Sequence, residues 1–209
     1  MSTTTQSNLD AIKDIRKMME RSSRFISLSG WSGIAAGLCA LIGSWIADNR
    51  ITEYLVGTSQ SAGCAECLKD ELIFIAMLVF IAALAAAFTF TYLKSKKEGV
   101  PIWGKTARRL LWNTLLPMVV GGILIWKMID LRYYVLVAPA TLIFYGLALV
   151  NGSKYTMGEV RYLGYGQILT GILALLIISR GLYAWAFGFG VLHIIYGVAM
   201  WWKYERKEL

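Results

Sequence analysis

The chain has 209 residues, of which 57% are hydrophobic and only 16% are charged, and its formal net charge is +8. A soluble domain of this size carries more charge, and no basic stripe with interleaved stacking aromatics lies outside the apolar runs, which argues against nucleic-acid binding. Six apolar runs of about twenty residues take up over half the chain, so no room remains for a second globular domain.

The N-terminal residues 1–24 are predicted to form a disordered start and an amphipathic helix. Residues 1–7 are rich in Ser, Thr and Gln, and from Asn8 to Arg24 apolar residues recur every three or four positions among Lys and Arg. A basic amphipathic helix just before a span lies in the headgroup layer of the lipid bilayer, with its cations on anionic lipid. The alternative interpretation is a docking helix for a protein partner.

Residues 25–209 are predicted to form a single all-α membrane domain. Each apolar run has the length that a helix needs to cross a hydrocarbon core about 30 Å thick. The sequence therefore predicts an integral membrane bundle of six transmembrane helices, with residues 48–70 as its only sizeable loop. The predicted spans are about 25–47, 71–93, 110–129, 133–151, 160–179 and 182–202.

Short matches between the spans indicate an internal repeat. Gly171–Leu173 matches Gly122–Leu124, and Tyr196–Ala199 matches Tyr145–Ala148. The first span also matches the fifth, with Gly30, Ile34 and Gly37 aligned on Gly164, Ile168 and Gly171. We interpret the pattern as three tandem helical hairpins related by a pseudo-threefold axis along the membrane normal. The second span matches the fourth and sixth poorly.

The distribution of Lys and Arg predicts the orientation. If both termini are cytoplasmic, the inner segments hold 16 of the 21 basic residues and the outer segments hold five. Such an excess is typical of cytoplasmic loops. The predicted location is the bacterial plasma (inner) membrane, with multiple passes, cytoplasmic N- and C-termini and an external loop that holds Cys64 and Cys67.

The Cys64/Cys67 pair is the sharpest chemical feature of the sequence. On an oxidising face, two cysteines three positions apart can close a small disulfide. A CxxC pair can also exchange electrons, because its geometry lowers a thiol pKa. Membrane disulfide oxidoreductases relay electrons through a second cysteine pair, but this chain has only Cys39 besides these two. A structural disulfide and a redox-active pair therefore both stay open.

His193 is the only histidine and lies near the middle of the sixth span. An ionisable residue at that depth points to a functional site, although a neutral imidazole can simply bond across helices to a hydroxyl such as Thr141 or Tyr145. The predicted intramembrane polar site contains His193, Thr141, Tyr145, Gln167 and Asn113. The span interiors hold no Asp or Glu, which argues against a proton- or sodium-driven pump.

The stretch from Ile15 to Gly30 resembles uncharacterised bacterial six-pass membrane proteins, a resemblance that implies a bacterial inner membrane and no particular activity. No acid pair, nucleophile constellation or complete metal set is present in the sequence. We therefore predict no catalytic residue, no metal site and no cofactor, and a non-enzymatic protein that acts through protein or lipid partners. The alternatives are a small channel or carrier for a neutral or lipid-like substrate, and a thiol-redox membrane protein. Pairs of small residues four positions apart, such as Gly33 and Gly37, favour close helix contacts and leave homo-oligomerisation open.

Overall fold

The computed structural model describes residues 29–57, 64–99, 102–177 and 180–206. Within these ranges the chain is all-helical and contains no strand. The predicted disordered start and amphipathic helix, residues 1–24, lie outside the described residues.

Six long helical segments follow one another along the described chain. A 3-10 turn precedes α4, and another follows it. The last segment, α6, is one run of helix in which α-helical and π-helical stretches alternate. The segments are α1 (Gly30–Val56), α2 (Ala65–Glu98), α3 (Lys105–Asp130), α4 (Val137–Gly152), α5 (Glu159–Leu176) and α6 (Gly181–Glu205).

Five of these helices, all except α5, are long and apolar enough to cross a membrane. The exception, α5, has a charged first turn with Glu159 and Arg161, and Gln167 and Thr170 lie in its interior. Both interior side chains are buried, because α5 packs between α4 and α6. Protein surrounds these polar groups, so this helix tolerates a lower hydropathy than its neighbours.

The predicted loop over residues 48–70 was too long, because helix covers both of its ends. Helix α1 continues to Val56 and ends at Gly57, whose φ of 77° is left-handed, the usual conformation of a C-terminal helix cap. Helix α2 already begins at Ala65. Arg50 pairs with Glu53 one turn on and with Glu71 of α2, so ion pairs link the polar end of α1 to α2. Hydropathy alone does not detect such polar helix ends.

The helices pack in a series that differs from their order in the chain. Helix α1 packs on α2 and on α6, α6 packs on α5, α5 packs on α4, and α4 packs on α3. The two helices at the ends of this series, α2 and α3, are the least covered. Only 6% of the most apolar stretch of each is buried, against 44% in α1.

Two of the helix pairs touch through glycine at matching positions. A Cβ atom on Gly30 would lie 2.5 Å from the carbonyl oxygen of Gly197, and a Cβ atom on Gly164 would lie 2.9 Å from that of Gly146. Seven residues further on, a Cβ atom on Gly37 would lie 2.7 Å from the carbonyl oxygen of Gly190, and one on Gly171 would lie 3.0 Å from that of Pro139. The α1–α6 and α5–α4 contacts therefore use the same register of small residues.

The bundle has two distinct ends. We call the end that contains the starts of α1, α3 and α5 and the ends of α2, α4 and α6 the basic end. The opposite end contains Cys64 at the start of α2, and we call it the disulfide end. An ion pair crosses the disulfide end, where Arg132 Nη2 lies 3.0 Å from Glu66 Oε1.

Candidate functional site

A buried polar cluster lies at the contact of α4, α5 and α6. The Tyr145 hydroxyl lies 2.9 Å from His193 Nε2. Gln167 Nε2 donates to the carbonyl oxygen of Gly188 over 2.7 Å and lies 3.3 Å from His193 Nδ1. His193 and Gln167 are 6% and 0% exposed. We call these four residues, Tyr145, Gln167, Gly188 and His193, the histidine cluster.

The histidine cluster satisfies both nitrogens of the neutral imidazole ring in either tautomer. When Nδ1 carries the proton, it can donate to the Gly188 carbonyl 3.2 Å away, while Nε2 accepts from Tyr145. When Nε2 carries the proton, it donates to the Tyr145 oxygen, and Nδ1 accepts from Gln167. Pairing of this kind removes most of the cost of burying the ring.

A π-helical stretch, Ala186–Leu192, positions the histidine. Stretches of this kind are rare and often mark functional sites, because they displace side chains from the regular helix register. Here the stretch places the carbonyl of Gly188 beside the ring of His193. A side chain at Gly188 would not fit, since its Cβ would lie 2.3 Å from a methyl carbon of Leu142 and 2.6 Å from Gln167 Oε1.

One polar atom of the histidine cluster has no partner within the described residues. Gln167 Oε1 is buried and accepts no hydrogen bond there. The amide cannot simply be turned over, because its nitrogen donates to a carbonyl oxygen, which can only accept. The cluster thus contains one buried acceptor without a hydrogen-bond donor, which we call the open acceptor; a water molecule or a hydroxyl group could supply that donor.

Aromatic rings enclose the cluster on the side of α6. The ring centroid of Phe189 lies 5.0 Å from that of Tyr145 and 6.0 Å from that of His193. Trp185 continues the stack one turn further, 4.9 Å from Phe189. The polar groups are therefore surrounded by apolar surface, which strengthens each hydrogen bond within the cluster.

The structure brings together three of the five residues of the predicted intramembrane polar site, and leaves two apart. Thr141 Oγ1 donates to the carbonyl of Ala138 on its own helix over 2.7 Å. Asn113 Nδ2 donates to Arg109 O in the same way, at the basic end of α3. Sequence reasoning missed Gly188, although its position five residues before the only buried histidine was a usable signal.

A disulfide joins Cys64 and Cys67 at the start of α2. Cys64 caps the helix, since its sulfur accepts from the backbone N–H of Cys67 over 3.2 Å. Cys39 of α1 is a free thiol, and no cluster of three or more His, Cys, Asp or Glu that could hold a metal ion occurs in the described ranges. The disulfide lies at the opposite end of α2 from the basic end.

The basic end is held together by two carboxylates from different helices. Glu205 of α6 accepts from the backbone N–H of Gly30 over 2.9 Å and from Lys94 Nζ over 3.1 Å. It thereby joins the start of α1 to the end of α2. Its negative charge lies at the N-terminus of α1, where a carboxylate stabilises a helix. Glu159 of α5 accepts from Lys203 and from the Tyr204 hydroxyl.

Burial raises the pKa of Glu159, but the hydrogen bonds from Lys203 and Tyr204 lower it by more, so the pKa lies below its usual value. Glu159 is therefore a carboxylate near neutral pH and anchors the last turns of α6 to α5.

Comparison with known proteins returns no match: no family model, no curated protein and no solved structure is similar to this chain.

Proposed function

We propose that this chain is a six-pass integral membrane protein of the bacterial plasma membrane, with cytoplasmic termini and no enzymatic activity of its own. It acts through lipid or protein partners that bind along α2 and α3. The observation that carries the proposal is the exposure of these two helices, whose long apolar faces are almost uncovered by the rest of the bundle. Contiguous apolar surface of this extent marks membrane or partner contact.

The packing of α5 supports the sixth crossing. Five helices meet the length and composition of a span, and α5 runs between α4 and α6, so it has the same depth as its two neighbours. The side of α5 that carries Gln167 and Thr170 is buried against protein, and such a side needs fewer apolar residues than one that faces lipid.

The paired glycine contacts support the threefold repeat of hairpins. In a ring of three hairpins, the first helix of each hairpin meets the second helix of the preceding one. The α1–α6 and α5–α4 contacts are two such meetings, and they use aligned residues, Gly30 with Gly197 and Gly164 with Gly146. The third meeting would join α3 to α2.

The histidine cluster supports a structural rather than a catalytic role for its residues. Its side chains bond to one another and to a backbone carbonyl, and no carboxylate or nucleophilic residue takes part. A catalytic base would instead direct an unpaired atom at a substrate.

Site-specific photo-crosslinking in cells tests the proposal. We would place a photoreactive phenylalanine analogue at Leu84 in α2, which is 59% exposed. Leu55, which is 76% exposed but lies in the extension of α1 beyond the predicted span, is the matched control. We expect lipid or protein adducts at Leu84 and not at Leu55. Equal adducts at both positions, or recovery of the chain in the soluble fraction, would contradict the proposal.

A second candidate function is a carrier for a small uncharged molecule with a hydroxyl group. The open acceptor Gln167 Oε1 favours it, because a donor hydroxyl would complete the hydrogen bonding of the cluster. The test is glycerol uptake by proteoliposomes. Uptake that is faster than in empty liposomes and is lost in Gln167→Leu would support the carrier, while uptake at the rate of empty liposomes would exclude it for this probe.

A further inference from the structure

Helices α2 and α3 are joined at both ends but do not pack together between them. At the basic end a short connector links Glu98 to Lys105, and at the disulfide end Arg132 pairs with Glu66. Along their length, in the described part of the chain, they form no packed interface of the kind that joins α1 to α6 or α5 to α4. We call the opening between them the α2–α3 seam.

One face of α3 is left uncovered by α4. Leu110, Thr114 and Gly121 pack on α4, where they approach Gly152 and Phe144. Arg108, Leu115, Val119 and Gly122 share another face, roughly a third of a turn further round the helix at 3.6 residues per turn. Leu115 and Val119 are 39% and 49% exposed, and a Cβ atom on Gly122 would meet no atom within 4 Å.

This face of α3 is the one that α1 and α5 use for their close helix contacts. Gly122 aligns with Gly37 and Gly171, whose Cβ positions would collide with the backbone of α6 and α4. The aligned glycine is therefore packed against a neighbouring helix in α1 and α5 but is unpacked in α3.

Large side chains on both helices explain why the seam does not close, and α3 carries Leu115 where α1 and α5 carry Gly30 and Gly164. Val79 packs on Gly43 of α1, and the opposite side of α2 carries large, exposed side chains, namely Phe74, Ile81, Phe88 and Tyr92. In the two closed contacts the partner helix instead presents glycine, Gly197 in α6 and Gly146 in α4. Close approach of two helices needs small residues on both sides, so α2 cannot take the equivalent position.

Cations flank the basic end of the seam. Lys96 and Lys97 end α2, and the first turn of α3 carries three more basic residues, Lys105, Arg108 and Arg109. All five side chains are exposed. Arg108 is on the same face of α3 as Leu115 and Gly122, so the apolar wall of the seam continues directly into positive charge.

We propose that the α2–α3 seam binds an anionic phospholipid, with its acyl chains between α2 and the Gly122 face of α3 and its phosphate at Arg108 and the lysines that end α2. The apolar side chains along the seam match the acyl chains, and the basic residues at its end match the phosphate. Basic pockets between helices on the cytoplasmic side bind anionic headgroups. The inference rests on the membrane placement and orientation proposed above.

The test uses the full-length protein in nanodiscs made of an equal mixture of phosphatidylglycerol and phosphatidylcholine. After extraction into detergent, native mass spectrometry counts the lipids that stay bound. We expect wild-type protein to retain phosphatidylglycerol selectively. The double variant Arg108→Gln/Arg109→Gln should retain roughly tenfold less, and Gly122→Leu should also lose the lipid, because the new side chain fills the seam.

Two control variants make the same changes elsewhere. Gly158→Leu introduces the same side chain at another glycine with no atom within 4 Å of its Cβ, and Arg206→Gln removes a cation at the end of α6. Both should retain the lipid as wild type does. Equal retention of the two lipids by wild type, or unchanged selectivity in the Arg108/Arg109 variant, would overturn the inference.

A second copy of the chain is the competing occupant of the seam. Gly122→Cys in a Cys39→Ala background, treated with a bismaleimide in membranes, gives a cross-linked dimer only if two copies meet there, and such a dimer would also overturn the inference. Alkaline carbonate extraction of the same membranes distinguishes failure of the lipid site from failure of the membrane placement. Protein that stays in the membrane without selective lipid contradicts only the lipid site, whereas protein released by carbonate contradicts the proposed function as well.

Discussion

Buried polar side chains in this protein bond to one another across helices. Tyr145 and His193 are the clearest pair, since the 2.9 Å contact between them joins α4 to α6 inside the bundle. The Tyr145 ring also packs on Phe189. The hydroxyl and the ring therefore make separable contributions to stability.

Replacing Tyr145 with Phe removes only the hydroxyl. We expect the free energy of unfolding to fall by about 1 kcal/mol, because hydrogen bonds between membrane helices are worth about 0.6 kcal/mol on average and up to about 1.7 kcal/mol. Unfolding in SDS, followed by tryptophan fluorescence, measures the loss. Tyr162→Phe is the control, since Tyr162 is 74% exposed; equal stability of the two variants would show that the bond to His193 contributes nothing.

Glu159 makes the stability of the basic end depend on pH. Its pKa is lower in the folded protein than in the unfolded chain, so its contribution to stability is complete above the usual carboxyl pKa and is lost as the pH falls through the lower, folded-state value. We expect the stability advantage of wild type over Glu159→Gln to shrink from roughly pH 6 to pH 3. A difference that stays constant over this range, measured by thermal unfolding in detergent, would rule out this role.

At the scale of the helices, glycine decides which pairs approach closely. A Cβ atom on Gly197 would lie 2.6 Å from the carbonyl oxygen of Gly30 and 2.6 Å from the backbone nitrogen of Ile34. One on Gly122 would meet nothing within 4 Å. The same substitution should therefore act in opposite directions at the two positions.

We expect Gly197→Ala to destabilise the protein by about 1–3 kcal/mol, because the added methyl group overfills a tight contact. Gly122→Ala should be neutral or stabilising by up to about 1 kcal/mol, since alanine favours helix over glycine. SDS unfolding of the two variants side by side measures both effects. A loss of stability in Gly122→Ala as large as in Gly197→Ala would show that the face of α3 is packed, not open.

At the scale of the whole molecule, the disulfide reports the orientation. In a Cys39→Ala background, we expect a membrane-impermeant alkylating reagent to label Cys64 and Cys67 in intact cells only after reduction. That result would place the disulfide end outside and identify a stable bond. Labelling without reduction that shifts with the respiratory state would favour the thiol-redox function, and no labelling under either condition would contradict the external loop.

Much of the helix pattern followed from the sequence. The predicted spans 110–129 and 182–202 correspond closely to α3 and α6, because an apolar run of that length is too long for a single strand and favours a helix. The end of α1 and the start of α2 did not follow, because these helix turns carry charged residues such as Arg50 and Lys69 and hydropathy detects only the apolar part of a helix. Within the candidate site, Thr141 bonds back to its own helix, an alternative that composition cannot distinguish from a bond to His193.

The sequence by itself determined the helical class, the approximate bounds of most helices and the matching glycine positions, because these depend on apolar length and on local spacing. Only the tertiary structure decided which glycines are packed. Gly37 and Gly171 meet a neighbouring helix and Gly122 does not, although all three stand at one position of the predicted repeat. The reason is physical: a close helix contact needs small residues on both helices. The exposed side of α2 is built from Phe, Ile and Tyr, and α3 carries Leu115 where α1 and α5 carry Gly30 and Gly164.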